Sequence, residues 1–247
     1  MQNITTIALS RLAAQERALD TIASNIANAA TPGFQAERMV FADWLVRQPH
    51  GSQPPGGETI TYTQDRATYR DRRAGPLTHT GNPLDIAIGD QDGFFTVQTK
   101  AGTRLTRAGH FELSAGGGLV DGNGNALLDT QGRPVQLSPT DVTLTITGDG
   151  TLSSENGRIA RIAVVKPTDP MGLKAEGNRL FSTDKPTEPM AKPNLVQGAI
   201  EDSNVQPVME LTRMMNELRG YQFVGQFIQT ESDRQQSAID KILPPRA

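Results

Sequence analysis

Apolar residues near the start of the chain recur at helical spacing. Between positions 8 and 26 they stand three or four residues apart on a heptad frame, with Gln15 as the polar exception. The run Thr31-Pro32-Gly33 follows, and proline disfavours α geometry in the residue before it. The pattern therefore predicts a helix over residues 1–30 with one apolar stripe.

A second stripe of this kind occupies the far end of the chain. Ser203 or Asn204 is predicted to cap a helix that carries Pro207 in its first turn, where the missing amide hydrogen costs nothing. Gly225, Ser232 and Gln235 interrupt the stripe. Its apolar positions on one a/d frame are Leu211, Met214, Leu218, Tyr221, Ile228, Ile239 and Ile242. The two helices bracket a middle of different character, and the simplest inference is that they pair.

The middle of the chain alternates short apolar runs with glycine, asparagine and aspartate turns. The predicted strands are Leu84–Ile88, Gly93–Thr99, Thr103–Thr106, His110–Leu113, Val135–Leu137, Val142–Thr147, Ile159–Lys166 and Leu195–Ile200. The stretch Pro167–Pro193 is predicted to be a loop with one short strand at residues 178–181. This spacing predicts a mainly-β module, and long helices between strands, which a parallel α/β core would need, are missing.

Residues 34–74 join the first helix to this module. The apolar run 34–44 is predicted to dock, the breaker-rich run 49–57 to form a loop, and residues 58–63 to form a strand. The charged run 66–73 is interpreted as a solvated strand or hinge. The predicted class is α+β. The predicted segments are a first terminal helix at 1–33, an extended, hairpin-like linker at 34–74, the β module at 75–200 and a second terminal helix at 201–247.

Three separated runs resemble flagellar rod and hook proteins, and together they span most of the chain. Residues 24–34 resemble the N-terminal signature of that family, residues 81–98 its shared β core, and residues 201–222 its closing helix. Ser24 stands where the family has asparagine, and Gly220 where it more often has alanine. The matching positions are Asn25, Ile26, Ala27, Asn28, Thr31, Gly33, Phe34, Ser203, Asn204, Val205, Pro207, Arg219 and Tyr221.

The resemblance implies a structural subunit of the flagellar basal-body rod. Its terminal helices would nest with those of neighbouring subunits, and its β module would form the outer layer of the tube. The implied partners are other copies of the chain, neighbouring rod proteins and the flagellar export apparatus. The subunit-interface residues would be Leu12, Leu19, Ile22, Ile26, Leu211, Met214, Leu218, Tyr221 and Ile228. Among the motif residues, Gly33 is expected to adopt a backbone conformation that a Cβ would strain, and Phe34 to anchor the turn.

Length and local pattern favour the proximal rod branch of the family. The segment before the β core is short, and residues 158–167 look more like that branch; the distal branch is similar in length and shares the three motifs. A peptidoglycan-acting enzyme and a stand-alone β binding module are the alternatives from other classes.

Composition narrows the possible partners and the compartment. A net charge of −3 over 247 residues gives no electrostatic footprint for nucleic acid. Cysteine is absent, which suits an exported protein as well as many cytosolic ones. No apolar run approaches the roughly 20 residues needed to span a bilayer. The N-terminus lacks the features of a cleaved signal peptide, and the resemblance implies export to the periplasmic rod by the flagellar type III route.

No motif in the sequence indicates catalysis. Asp121, Asn123 and Asn125 resemble the start of a calcium loop, but the glycine and glutamate that such a loop needs are replaced by Ala126 and Gly132. Two tight turns explain the run better. Histidines have no metal-binding spacing, and nucleophile, phosphate-binding and dinucleotide patterns are missing. We therefore predict no catalytic residue, no cofactor, no metal and no small-molecule substrate.

Overall fold

The computed structural model describes residues 2–47, 59–177 and 179–242, and side chains within 6–40, 68–177 and 179–241. It confirms the α+β class, with a helix at each end and a β-rich centre. The chain divides into two compact units. The helical unit comprises Met1–Ala27, Glu37–Tyr69 and Gln206–Ala247; the β unit comprises Asn28–Ala36 and Arg70–Val205.

The helical unit contains two long helices and a two-stranded sheet. Helix α1 spans Gln2–Ala27 and packs against helix α2, which spans Pro207–Ile242. Strands β1 (Glu37–Arg47) and β2 (Thr59–Arg70) pair with each other, and β1 also contacts α1. Pairing of the two terminal helices was expected from their apolar stripes, and the packing of α1 on α2 confirms it.

Alanine dominates the buried face of α1. Ala8, Ala14, Ala18 and Ile22 are buried together with the polar Gln15. Small side chains on this face allow another backbone to approach closely. The alanines and the unbranched side chains of α1 also have high helix propensity. Helix α1 ends three residues before the predicted boundary, because the chain turns at residues 28–31, where the Thr31 amide donates to the Asn28 carbonyl at 3.1 Å.

The β unit consists of short strands and one 3₁₀ turn at Pro170–Gly172. Its strands are β3 (Leu77–His79), β4 (Ile86–Ile88), β5 (Phe94–Thr99), β6 (Gly102–Thr106), β7 (Phe111–Leu113), β8 (Leu119–Asp121), β9 (Ala126–Leu127), β10 (Thr145–Ile146), β11 (Thr151–Ser154), β12 (Gly157–Arg161), β13 (Val164–Pro167), β14 (Leu173–Ala175), β15 (Leu180–Thr183), β16 (Thr187–Pro189), β17 (Leu195–Gln197) and β18 (Ala199–Glu201).

One nine-stranded sheet organises this unit. Its strand order is β14-β15-β6-β5-β9-β8-β7, with β13 also pairing with β5 and β16 pairing with β13. Smaller sheets join β10-β11-β12, β4 with β17 and β3 with β18, and the registered pairs are antiparallel. The last two pairings bring the start and the end of the β unit together.

Two apolar clusters hold the β unit. The larger cluster includes Ile86 and Leu127, and its Phe95 and Phe111 rings meet edge to face at 5.3 Å between centroids. The smaller cluster contains Phe94 and Phe181, whose rings meet edge to face at 5.7 Å. Adjacent residues 94 and 95 thus point to opposite sides of β5 and serve different clusters.

Several predicted strands differ from the observed ones. The predicted strand at 159–166 is divided between β12 and β13, and the one at 195–200 is divided at Gly198, whose φ is +72°. Residues 135–137 form only a bridge, between Gly118 and Gln136, and residues 142–147 shrink to β10. The stretch 167–193, predicted as a loop with one short strand at 178–181, contains that strand, shifted to β15, but it also contains β14 and β16, which were not predicted.

The connecting region 34–74 also contains more strand than predicted. Strand β1 lies where only a docking segment was predicted, and β2 continues through most of the charged run. The predicted loop at 49–57 lies outside the described residues. The division of the chain into four segments stays a prediction.

Candidate assembly surface

Asn25 of the N-terminal motif is a buried clamp inside the helical unit. Its Nδ2 donates to the Glu37 carbonyl at 2.8 Å, and its Oδ1 accepts from the Glu37 amide at 2.8 Å. The side chain thereby satisfies both backbone groups of the first residue of β1, as a neighbouring strand would. The clamp fixes the strand against the end of α1.

Glu210 in the first turn of α2 is completely buried and carries the main ionic cluster of the same unit. Its Oε1 lies 2.6 Å from Arg38 Nη1 and 2.6 Å from Arg213 Nη1, and its Oε2 accepts from Asn25 Nδ2 at 3.4 Å. A buried carboxylate is tolerated only when charged partners compensate for its lost hydration, as these two guanidinium groups do. Glu210 was not predicted from the sequence, although an acidic residue in a helix's first turn is a recognisable signal.

The turn that follows α1 belongs to the β unit and requires glycine. Gly33 has φ of +71°, and its amide donates to the Glu201 carbonyl at 2.7 Å. A Cβ there would lie 2.7 Å from the backbone of both Arg107 and Ala108. The expectation that a Cβ would strain this position is confirmed, because both conformation and space exclude it.

Phe34 follows in a stack of aromatic and cationic groups. The guanidinium of Arg70 lies 5.9 Å from the centre of the Phe34 ring and 5.1 Å from the centre of the Phe181 ring. The Phe34 amide donates to the Thr31 carbonyl at 3.2 Å, and Thr31 Oγ1 lies 3.3 Å from Asn28 Oδ1. The motif residues therefore support one another through two consecutive turns.

The predicted cap of the second helix is wrong. Helix α2 begins at Pro207, and Asn204 instead accepts from the Ala36 amide at 2.8 Å and donates to the Asp71 and Arg73 carbonyls, each at 2.7 Å. Ser203 Oγ accepts from the Val205 amide at 3.2 Å. The Asn204 side chain thus connects segments of the β unit that are distant in sequence, whereas Ser203 closes a local turn. Pro207 does occupy the first turn, as predicted.

Arg107 is the most buried charged group of the β unit. Its Nε donates to Glu201 Oε2 at 2.7 Å, and its Nη1 donates to the carbonyls of Asp90, Gln91 and Gly93 at 2.8–2.9 Å. Glu201 Oε1 also accepts from the Gly75 amide at 3.0 Å. The pair holds the loop before β5 against the end of the unit, beside the backbone that Gly33 touches.

The predicted interface residues fall into buried, partly buried and exposed groups. Ile22 is buried within the helical unit. The partly buried members are Leu12, Leu19, Ile26, Met214 and Ile228, and the exposed members are Leu211, Leu218 and Tyr221. Within the helical unit, the most buried positions of α2 are Glu210 and Val224 rather than the predicted stripe. Whether these residues contact another subunit stays a prediction.

Helix α2 exposes an unusual number of large apolar side chains. They are Val208, Met209, Leu211, Met215, Leu218, Tyr221, Phe223, Phe227 and Ile239. Phe223, which the sequence analysis did not select, is 72% exposed. Phe223 and Phe227 also flank an open cleft of about 320 Å³ whose opposite wall is formed by Ile7, Ala8 and Arg11 of α1. An extended apolar surface on a helix that is already paired marks a site for a further protein contact.

The candidate chemistry of the β unit is structural. Asp121 Oδ1 accepts from the Asn123 and Asn125 amides at 2.9 Å each, which closes the turn that resembles a calcium loop. His110 Nδ1 lies 2.7 Å from Asp85 Oδ1. Within the described residues there is no group of three or more potential metal ligands. In that same part of the chain, no helix is long and apolar enough to cross a membrane.

Three family models match separate parts of the chain. The model described as Flagella basal body rod protein matches residues 6–35, which include the Asn25 clamp and the Gly33 turn. The Flagellar hook protein FlgE/F/G D1 domain matches residues 87–154 of the β unit. The Flagellar basal body rod FlgEFG protein C-terminal model matches residues 196–241, which include most of α2.

Curated relatives match over nearly the whole length. The chain is 33% identical over 247 residues to the flagellar basal-body rod protein FlgF of Caulobacter vibrioides, with 98% of each chain covered. It is 32% identical to the FlgF protein of Mesorhizobium japonicum, with 97% of each chain covered. It is 31% identical to the flagellar basal-body rod protein FlgG of Bacillus subtilis, with 90% of this chain and 92% of that protein covered.

Proposed function

The chain belongs to the flagellar basal-body rod protein family, and from that premise we propose that it is a structural subunit of the bacterial flagellar rod. Its relatives named FlgF support the proximal branch over the distal one. In the proposed rod, α1 and α2 form the axial layer, corresponding to segments 1–33 and 201–247, and the β unit forms the outer layer. Segment 34–74 connects the layers.

The apolar surface of α2 is the observation that carries this proposal. Leu211, Met215 and Leu218 follow one another at spacings of four and three residues, so they form one ridge along the helix. A ridge of this kind fits the groove of another helix. Because the ridge is exposed in the single chain, the helix it fits belongs to a neighbouring subunit.

Burial of this ridge supplies the free energy of assembly. Each square ångström of apolar surface removed from water contributes about 25 cal/mol, and only the surplus over the lost motion of the subunit remains as affinity. The ridge and the Phe223 cleft are different surfaces of α2. The ridge of one subunit can therefore contact a different surface of the next subunit. Contacts between unlike faces propagate into a helical array rather than a closed dimer.

The proposed partners are further copies of this chain, the adjacent rod proteins and the flagellar export apparatus, which would deliver the subunit to the periplasmic rod. Membership of the rod protein family supports assembly with other rod proteins. The role is mechanical and involves no nucleic acid, membrane insertion or small-molecule substrate. Purified protein incubated with peptidoglycan is accordingly expected to release no sugars or peptides.

The ridge also defines the experiment that tests the proposal. Leu218→Glu places a charge on the ridge, whereas Asn216→Glu places the same charge at an exposed polar position on another face of the helix. Both variants are expressed in cells whose own copy of the gene is deleted, and swimming and the composition of isolated basal bodies are measured. We expect Asn216→Glu to restore both and Leu218→Glu to restore neither.

Folding of each variant must be checked so that the result is unambiguous. Substitutions at exposed helix positions change stability by about 0.5 kcal/mol or less, so purified Leu218→Glu should melt like the parent chain. Ile22 is unsuitable for this test because it is buried within the helical unit. Normal swimming and normal rods with Leu218→Glu would overturn the proposed role of the ridge.

A further inference from the structure

An open groove of about 560 Å³ lies within the β unit, beside the turn that follows α1. The motif residues Asn28, Thr31, Gly33 and Phe34 form one wall. The hairpin of β14 and β15 contributes to the opposite wall. The part of the sequence that identifies the family therefore also lines a cavity. The hydrogen bonds within the motif stabilise the turn but do not account for this cavity.

Two arginines and no carboxylate line the groove among the described residues. Arg179 contributes one guanidinium group, Arg70 contributes a second whose Nη1 donates to the Gln35 carbonyl at 3.2 Å, and the half-buried Phe34 ring supplies apolar surface. Planar guanidinium groups bind carboxylates with paired hydrogen bonds. The lining thus complements an extended peptide that carries acidic side chains.

Gln35 provides an independent indication of a ligand. This side chain lines the groove, is 2% exposed, and its Nε2 has no hydrogen-bond acceptor within the described chain. A buried amide donor without an acceptor is costly, so such groups in native proteins call for an explanation. A carbonyl oxygen of a peptide seated in the groove would provide the missing acceptor.

Arg179 provides a second indication through its backbone. Its φ is +63°, the one positive value at a non-glycine position among the described residues, and it lies in the tight turn between β14 and β15. Glycine is preferred at left-handed positions of such turns, because a Cβ makes the conformation unfavourable. None of the salt bridges among the described residues includes the Arg179 guanidinium. An arginine held in this conformation and directed to a groove is suited to binding rather than to the turn itself.

We propose that this groove binds an extended, carboxylate-bearing segment of a second copy of the chain. The identity of the partner rests on the proposed rod function, whereas the chemistry of the groove does not. Arg179 binds a carboxylate of the segment, Gln35 donates to its backbone, and Phe34 packs against its aliphatic stems. The 27 aspartate and glutamate residues of each copy supply carboxylates on the neighbour.

A photo-cross-linking experiment in assembled basal bodies tests the inference. A photoreactive amino acid replaces Asn123, which lines the groove, and the cross-linked peptide is identified by mass spectrometry. The expected result is a link to an acidic segment of a second copy. A link to a different protein, to a segment without acidic residues, or to none would overturn the inference.

Arg179→Gly is the decisive variant, because folding and binding should change in opposite directions. Glycine accepts the left-handed backbone, so the melting temperature should stay the same or rise, while the cross-link should fall at least tenfold. Arg179→Lys keeps the charge but loses the planar fork, so it should retain an intermediate yield. An undiminished yield with Arg179→Gly would contradict the assignment.

Binding can also be measured without assembly. The full chain, labelled with ¹⁵N, is titrated with an acidic hexapeptide, acetyl-Glu-Leu-Glu-Val-Glu-Leu-amide, and with its glutamine analogue. Saturable shifts of the Gln35 side-chain amide and the Arg179 signals are expected with the acidic peptide alone, and their absence would overturn the inference. If the groove fails these tests while Leu218→Glu still abolishes rods, only the groove assignment falls. If the chain is missing from basal bodies, the proposed function falls instead.

Discussion

The carboxamide of Asn25 forms both of its backbone hydrogen bonds with a single residue, Glu37, at 2.8 Å each. One side chain thus replaces a β-strand neighbour at the point where β1 begins. Because Asn25 Nδ2 also reaches Glu210 at 3.4 Å, the same group connects α1, β1 and α2 within the helical unit. A motif known from its sequence pattern therefore has a direct structural role.

Replacing Asn25 by alanine should destabilise the helical unit. The change removes both hydrogen bonds to Glu37, and each backbone group left unsatisfied costs about 1–3 kcal/mol. We expect a loss of about 2–4 kcal/mol, measured from chemical unfolding followed by circular dichroism at the helix band. Asp20→Asn, at an exposed position on the same helix, serves as the control and should change little. Equal stability of the two variants would show that the clamp contributes nothing.

Gly33 and Gly81 form a matched pair for testing the turn after α1. Their φ angles are +71° and +75°, but a Cβ at Gly81 would meet no atom within 4 Å, whereas one at Gly33 would meet the backbone of Arg107 and Ala108 at 2.7 Å. Gly81→Ala should cost about 1–2 kcal/mol for its left-handed conformation alone. Gly33→Ala should cost clearly more, because backbone atoms cannot move away easily. Similar losses in melting temperature for the two variants would contradict this account.

Two glycines of α2 should respond differently to alanine. Gly225 faces open space, so Gly225→Ala should stabilise the helix by about 1 kcal/mol. At Gly220 a Cβ would lie 2.5 Å from Nε2 of Gln15, a buried side chain whose Oε1 lacks a partner within the described residues. Gly220→Ala should therefore stabilise the protein less than Gly225→Ala does, or should destabilise it. Adding Gln15→Ala should remove the difference between the two sites, which thermal unfolding of the three variants would reveal.

The carboxyl group of Asp149 makes the stability of the β unit depend on pH in the acid range. Hydrogen bonds from the side chains of Thr147 and Thr151 lower the pKa of this carboxyl from 3.8 to about 2. A lowered folded-state pKa stabilises the fold above the unfolded value and loses that effect as pH falls through the folded value. Asp149→Asn should therefore lower the melting temperature at pH 6, and the difference from the parent chain should shrink below pH 3.8 and vanish as pH falls through about 2. A constant difference across this range would exclude the assignment.

The parts of the fold that depend on local patterns could be predicted from the sequence. The two helices with apolar stripes were predictable from the 3.6-residue periodicity. The strained backbone conformation at Gly33 was predictable because glycine is the residue that tolerates positive φ in a turn. Strand boundaries in the β unit could not be predicted, because short strands pair with distant segments and end where a partner ends. Leu195–Gln197 pairs with Ile86–Ile88, but the next strand pairs elsewhere after Gly198.

The candidate surfaces show a different limit of sequence reasoning. Asn204 was predicted as a helix cap because its sequence neighbours favour one, yet its hydrogen bonds go to residues 36, 71 and 73. Glu210 is buried because Arg38, far away in the chain, supplies the opposite charge. A helix that contacts several partners has more than one apolar face. Periodicity shows that α2 carries apolar residues at helical spacing. It does not show that Val224 is buried within the helical unit while Leu218 is exposed.

Protection of Phe223 in the assembled rod is the most direct measurement of the central claim. The chain has no cysteine, so Phe223→Cys introduces a single thiol at a position that is 72% exposed in the single chain. Maleimide labelling is compared between the dilute purified protein, isolated basal bodies and a denatured sample. The account predicts fast labelling of the dilute and denatured chains and strong protection in basal bodies. Equally fast labelling in intact basal bodies would contradict assembly through the apolar surface of α2.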